Sequence, residues 1–78
     1  MKHIPFASLS LDERTAVLAA LERSGVAPRI VCVSRLEPEG EALPAVAMVS
    51  APGWFRAYES AAGWVGLLER DLGSLGRR

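Results

Sequence analysis

Residues 29–50 of this chain read RIVCVSRLEPEGEALPAVAMVS. The stretch contains two short runs rich in β-branched residues, 29–36 and 45–50, separated by an acidic segment with proline and glycine. Short β-branched runs on either side of turn-forming residues are typical of paired strands. Pro44 directly precedes the second run, where a missing backbone N–H does little harm. The stretch therefore predicts an antiparallel hairpin with strands at 29–36 and 45–50.

A helix is predicted at 10–25, before the hairpin. Ser10 and Glu13 form an S-x-x-E capping box, in which each side chain satisfies the free amide of the other residue. Gly25 suits the left-handed position that follows a helix. Val26 then falls where a Schellman cap packs a hydrophobic residue against Leu21. Both ends of this helix are thus marked in the sequence.

A second and longer helix is predicted at 52–75. Pro52 suits a first helical turn. Apolar residues then alternate at spacings of four and three, which places them on one stripe of a helix: Trp54, Tyr58, Ala61, Val65, Leu68, Leu72 and Leu75. Each glycine inside a helix costs about 1 kcal/mol relative to alanine. The stripe stays in phase across the glycines, so we expect one helix, with a break near Gly63 as the alternative.

These elements predict an α+β fold of order α-β-β-α, with the hairpin packed under two helices. The length of 78 residues allows a single domain, 1–78, in which 1–9 form an N-terminal arm. A hydrophobic content of 50% argues against a disordered chain.

Both faces of the predicted hairpin are apolar, although a hairpin with one wet face should alternate apolar and polar residues. The helices cover one face, and no further layer is available for the second. We therefore expect a homodimer, with the candidate dimer face at Val31, Val33, Ala47 and Val49. The alternatives are a different protein partner or a monomer with a tighter hairpin.

A second candidate interaction surface lies on the long helix, at Gly63, Trp64, Gly66 and Leu67. Small residues beside a large aromatic allow another element to approach closely, with Trp64 as the anchor of the interface. The alternative is that Trp64 packs on the first helix or the sheet of its own chain, as large aromatics usually do.

The sequence shows no catalytic constellation. Cys32 lies between two valines, where a buried thiol is inert, and the single histidine, His3, lies near the terminus. The acidic residues Glu37, Glu39 and Glu41 resemble a solvated loop more than a metal site, because they lack an Asp-x-Asp pattern. We therefore expect no enzyme activity, no metal and no cofactor, and a protein-interaction module instead.

Nucleic-acid binding is the alternative function. Nine Lys and Arg balance nine Asp and Glu, which is unlike a dedicated DNA-binding domain. Local patches still exist at zero net charge, and Arg56 and Arg70 lie near the aromatic residues of the second helix.

The expected compartment is the cytoplasm. No apolar run reaches the ~18 residues of a membrane span. A signal peptide is disfavoured because Pro5 interrupts the short apolar start and Asp12 and Glu13 follow it. A lone thiol suits a reducing compartment. The lack of Asn and Gln, beside abundant Ala, Leu, Arg and Gly, suggests a GC-rich bacterial genome.

Overall fold

The computed structural model describes residues 2–39, 43–61 and 63–75. Within that part of the chain, four strands and two helices follow in the order β1-α1-β2-β3-β4-α2. Their bounds are β1 Lys2–Pro5, α1 Leu11–Arg23, β2 Cys32–Glu37, β3 Val46–Ala51, β4 Trp54–Glu59 and α2 Trp64–Leu75. The strands form one antiparallel sheet in the order β1-β2-β3-β4. The predicted α+β class is confirmed, with four strands where the sequence indicated two.

The central pair, β2 and β3, is the hairpin expected from residues 29–50. Val33 pairs with Val49 and Arg35 pairs with Ala47. The first strand begins later than predicted, because Pro28–Ile30 form a 3₁₀ turn and β2 starts at Cys32. The middle of the connecting segment, 40–42, lies outside the described residues.

Within the predicted N-terminal arm, 1–9, residues 2–5 form a strand that the sequence did not predict. They form β1 and pair with β2, from Lys2 opposite Glu37 to Pro5 opposite Ser34. Pro5 is tolerated because β1 is an edge strand, and it is also the last strand residue. The chain then makes a 3₁₀ turn at Phe6–Ser8 before α1 begins.

The prediction of one helix over 52–75 is also wrong. Pro52 and Gly53 make a tight turn, in which Gly53 takes a φ of 71°, a value that favours glycine. The chain therefore reverses direction, and Trp54–Glu59 pair with β3. The helix begins only at Trp64, directly after Gly63, whose φ is 88°. Trp54 and Tyr58 fitted the helical stripe because residues four apart share a face in a strand as well.

The predicted ends of α1 are confirmed. The backbone N–H of Glu13 donates to Ser10 Oγ at 3.1 Å. At the other end, the Val26 N–H donates to the Leu21 carbonyl at 3.0 Å and Gly25 has a φ of 71°. This pair of features is the Schellman arrangement expected from the sequence.

The hydrophobic core lies between the two helices and one face of the sheet. Leu68 and Leu72 of α2 are fully buried, as are Val17 and Ala20 of α1. The sheet contributes Val33, Ala47, Val49 and Tyr58. At the far end of α1, Arg23 donates to both carboxylate oxygens of Glu69 on α2, and this hydrogen bonding lowers the pKa of the Glu69 carboxyl. None of the helices in the described ranges is long and apolar enough to cross a membrane.

Candidate interaction surface

The two helices of the described residues pack on one face of the sheet, and no described helix packs on the other, which we call the open face. The register of the three ladders fixes which residues stand on this open face, because successive side chains alternate between the two faces. Three rows cross the strands in order: His3–Leu36–Val46–Glu59, then Pro5–Ser34–Met48–Ala57, then Cys32–Ser50–Phe55. β1 ends at Pro5, so no β1 residue completes the third row.

The middle of the open face is mostly apolar, although Ser34 and Ser50 also lie there, and the ionisable side chains His3 and Glu59 stand at its edges. Leu36, Val46 and Met48 on the two central strands are half-buried by their neighbours, although no helix or strand of the described residues packs over them. His3 and Glu59 stand at the two ends of the first row, on opposite edge strands. An apolar centre with a polar rim is the composition found in protein–protein interfaces.

Phe55 is the most exposed aromatic residue of the described chain, with 56% of its surface accessible. It stands at the β4 end of the third row, with its ring on the open face. An exposed aromatic ring contributes much apolar area at little entropic cost when another surface covers it. Phe55 is thus the strongest candidate for an anchor residue. The sequence analysis missed it because residues 54–59 had been assigned to a helix.

An apolar cavity of about 450 Å³ lies at the opposite end of the same row. It occurs where β1 gives way to the 3₁₀ turn, so that Phe6 and Ala7 line it together with Pro5 and Cys32. Its deeper wall is formed by core residues of α1, including Val17 and Leu21. Residues of the open face, such as Pro5 and Cys32, and core residues such as Val17 therefore line the same cavity.

The candidate dimer face named from the sequence has the wrong strand parity. Val33, Ala47 and Val49 are 6%, 2% and 0% exposed and form the core under the helices. Val31 is partly buried against the same core. The sequence could not distinguish the two parities because both are apolar. The weak signal was that two serines, Ser34 and Ser50, occupy the parity that faces away from the helices.

The second candidate surface, at the start of α2, is divided between core and solvent. Trp64 is 5% exposed, and its ring lies 5.9 Å from the ring of Tyr58. The interpretation of Trp64 as an interface anchor is therefore wrong, and the alternative of packing within its own chain holds. Gly63, Gly66 and Leu67 lie on the exposed side of the same turn, with Leu67 46% exposed.

A polar cavity of about 600 Å³ adjoins the first turns of both helices. Glu13 is central to it: the carboxylate accepts a hydrogen bond from Trp64 Nε1 at 2.9 Å and forms an ion pair with Arg35. Arg35 also lies 3.8 Å from the Glu37 carboxylate. Since Glu13 and Arg35 pair with each other, this cavity is bounded by internal contacts of the fold.

Burial and a hydrogen bond of 2.7 Å to Asp71 Oδ2 raise the pKa of the Tyr58 phenol. The guanidinium groups of Arg56 and Arg70 both act on this phenol electrostatically. The two arginines named for nucleic-acid binding lie on separate elements, Arg56 on β4 and Arg70 on α2. Arg56 stacks over Trp54, 5.0 Å from the ring centroid, and Arg70 lies 3.6 Å from the Asp71 carboxylate.

The remaining candidate chemical groups do not converge. The expectation that Cys32 is buried is wrong: its thiol is exposed, on the open face. His3 pairs across from Leu36, four residues along β2 from Cys32, so the two side chains are separated along the strand. Glu41 lies outside the described residues, and in the part of the chain that the structure describes no group of three or more His, Cys, Asp and Glu side chains is placed to hold a metal.

Comparison with known proteins gives no further assignment. No family model matches the chain, and neither a curated protein nor a solved structure matches it.

Proposed function

We propose that this protein is a non-catalytic protein–protein interaction module that self-associates through the open face of its sheet. The observation that carries the proposal is the open face itself. It is a four-stranded surface with a mostly apolar centre, and both helices α1 and α2 of the described residues pack on the opposite side. An exposed apolar sheet face in water is an aggregation hazard unless another surface covers it.

A second copy of the chain is the partner we propose. Two sheets that stack face to face interdigitate their side chains about 10 Å apart and form a core between them. Dimers with two-fold symmetry use the same patch on both copies, which requires that patch to be self-complementary. The open face fits this requirement because its apolar centre is flanked by one basic and one acidic side chain, His3 and Glu59.

The proposal is tested by the molar mass of the full chain, measured by light scattering after size exclusion over a wide concentration range. The expected mass is twice 8.4 kDa and persists on dilution. Met48→Glu places a carboxylate at the centre of the open face and should give the monomer. Leu11→Glu is the matched control, because Leu11 is 69% exposed on α1, away from the open face, and should leave the dimer intact.

Phe55→Glu serves as a second disrupting variant, in case the half-buried Met48 is needed for folding. Circular dichroism and urea unfolding of each variant separate loss of association from loss of structure. A chain of monomer mass at every concentration, with native circular dichroism, would refute the proposal.

The proposed compartment is the cytoplasm. The exposed thiol of Cys32 supports it, because a lone exposed thiol persists in a reducing environment and is prone to oxidation outside one. Cell fractionation of the tagged full chain tests this assignment.

Nucleic-acid binding is the second candidate function, favoured by the stacking of the exposed Arg56 over Trp54 on β4 and by the exposed Arg70 on α2. The test is a titration of short single-stranded RNA and DNA at low salt. Binding that weakens with salt, and weakens further when both arginines are changed to Gln, would support this function. Arg29→Gln is the control, since Arg29 is an exposed arginine on the 3₁₀ turn before β2.

A further inference from the structure

We propose that the two copies meet with their two-fold axis parallel to the strands, so that Phe55 of each copy enters the apolar cavity beside Cys32 of the other. This inference rests on the proposed self-association and specifies its geometry. Two symmetric ways of stacking the open faces differ in the partner that each gives to the residues of the three rows.

A two-fold axis that runs along the strands, between β2 and β3, exchanges β1 with β4 and β2 with β3. It keeps each row opposite the same row of the second copy. In the first row, His3 then faces Glu59 and Leu36 faces Val46. The imidazole of His3 therefore faces a carboxylate, and the apolar side chains in the middle of the row face apolar side chains.

The third row shows the same complementarity in shape. Exchange of β1 with β4 carries Phe55 to the position that β1 leaves empty beyond Pro5. That position adjoins Pro5 and Cys32, which line the 450 Å³ cavity together with Ala7. The ring of Phe55 and the apolar cavity thus lie at opposite ends of the third row. Rotation about this axis brings the ring of each copy to the cavity of the other copy.

The alternative axis, perpendicular to the strands, reverses the order of the rows. It places Glu59 over Phe55 of the second copy, because the first and third rows then lie opposite each other. A carboxylate held against an aromatic ring loses water without gaining a hydrogen-bond donor. That axis also places His3 of the second copy, and not the ring of Phe55, over the position beyond Pro5. The axis along the strands avoids both defects.

Interface size supports the insertion as well. Four strands about 4.8 Å apart and six residues of about 3.3 Å each give a face of roughly 380 Å² in projection. Each partner in an interface of standard size buries about 800 Å². The flat face by itself is therefore small, and insertion of two rings into two cavities supplies the additional contact area. Phe55 should consequently dominate the affinity.

The test uses sedimentation equilibrium of the full chain and two variants. Phe55→Ala removes the inserted ring and leaves the cavity, whereas Ala7→Phe blocks the cavity and leaves the ring. Both residues are exposed, so neither change removes a core side chain. Each variant alone should raise the dimer dissociation constant about 30-fold or more. Mixed in equal amounts, they should recover affinity, because one of the two insertions is intact in the mixed dimer.

A second mixture tests the first row. In the His3→Glu dimer two carboxylates lie opposite each other, and in the Glu59→Arg dimer the introduced guanidinium lies opposite His3 and has no carboxylate partner. In the mixed dimer of these two variants, the carboxylate introduced by His3→Glu lies opposite the guanidinium introduced by Glu59→Arg. The mixed dimer should therefore form in preference to the dimer of either variant alone. Edge-to-edge pairing of sheets, or the perpendicular axis, predicts no such preference.

Recovery in both mixtures would establish the geometry. A dimer that Met48→Glu abolishes but Ala7→Phe leaves unchanged would overturn this inference and leave the proposed function standing. A monomeric chain under all conditions would overturn both.

Discussion

Trp64 Nε1 donates a hydrogen bond of 2.9 Å to Glu13 Oε2, and this bond joins the first turn of α2 to the first turn of α1. Glu13 also pairs with Arg35 on β2 through its other carboxylate oxygen. A single carboxylate thus connects both helices and the sheet. Glu13 was identified in the sequence only as half of a capping box, and its side chain instead makes these two tertiary contacts.

Glu13→Ala should lower the free energy of unfolding by about 2 kcal/mol, because it leaves the Arg35 guanidinium and the Trp64 indole without their acceptor. The effect should be smaller than for a fully buried ion pair, since the side chains of Glu13 and Arg35 keep 15% and 23% of their surface exposed. Urea unfolding followed by tryptophan fluorescence measures it. Glu13→Gln should cost less, and Asp12→Ala, an exposed acid in the same turn, less than about 1 kcal/mol. Equal effects for Glu13→Ala and Asp12→Ala would contradict the role of the network.

Tyr58 should make the folded chain sensitive to alkaline pH. Burial and the hydrogen bond to Asp71 raise its pKa in the folded state above the value of about 10 in the unfolded chain. The folded state therefore holds its proton more tightly, so the stabilisation is complete below pH ~10 and is lost as pH rises above it. Because the chain has one tyrosine, absorbance at 295 nm reports this phenol alone.

Ionisation of Tyr58 should thus appear well above pH ~10 and coincide with unfolding. In Tyr58→Phe, the free energy of unfolding should depend less steeply on pH in this range. A phenolate signal at the ordinary value, with the circular dichroism of the folded chain retained, would show that the phenol is not held by Asp71.

Adjacent leucines on α2 should differ sharply in their contribution to stability. Leu68 is 0% exposed and Leu67 is 46% exposed. Leu68→Ala should therefore cost about 3 kcal/mol, from lost burial and the resulting cavity, and Leu67→Ala less than about 1 kcal/mol. Thermal unfolding of the two variants checks the rotation of α2 about its axis. A larger loss of stability for Leu67→Ala than for Leu68→Ala would mean that the opposite face of α2 packs on the sheet.

Two glycine-to-alanine substitutions should have opposite signs. Gly66 lies in the interior of α2, and an added Cβ there meets nothing within 4 Å, so Gly66→Ala should stabilise the chain by about 0.5–1 kcal/mol. Gly25 caps α1 with a φ of 71°, where a Cβ is strained, so Gly25→Ala should destabilise it by about 1 kcal/mol. Chemical denaturation of both variants under one set of conditions gives the comparison. Stabilisation by Gly25→Ala would be inconsistent with the Schellman cap.

The elements predicted correctly from the sequence are those specified by local signals. Ser10 and Gly25 mark the ends of α1 through contacts within a few residues, and the β2–β3 hairpin joins neighbouring runs of the chain. The missed strands lack such signals. Four-residue β1 is defined by a partner 35 residues away, with Lys2 opposite Glu37, and periodicity does not report pairing over that distance.

The candidate site was hard to predict for a related reason. Trp54 and Tyr58 are spaced equally well for a strand or a helix, so β4 was hidden, and with it the exposed ring of Phe55. The Pro52–Gly53 turn was the available signal, because glycine after proline favours a tight turn over a helical start. The cavity beside Cys32 depends on where β1 ends, which follows from the tertiary fold alone.

The position of β1 at the edge of the sheet has a consequence for the motions of the chain. β1 pairs with one neighbour, β2, and α1 separates the two strands in the sequence. β1 can therefore detach while the β2-β3-β4 meander stays paired. Amide hydrogens of β1 should therefore exchange with solvent faster than those of β3, which has a neighbour on each side. Because β1 and the turn after it line the cavity, detachment would dismantle that recess. A second copy bound at the cavity would stabilise the pairing of β1 with β2. Amide exchange at residues 2–5 should therefore become slower as the protein concentration is raised.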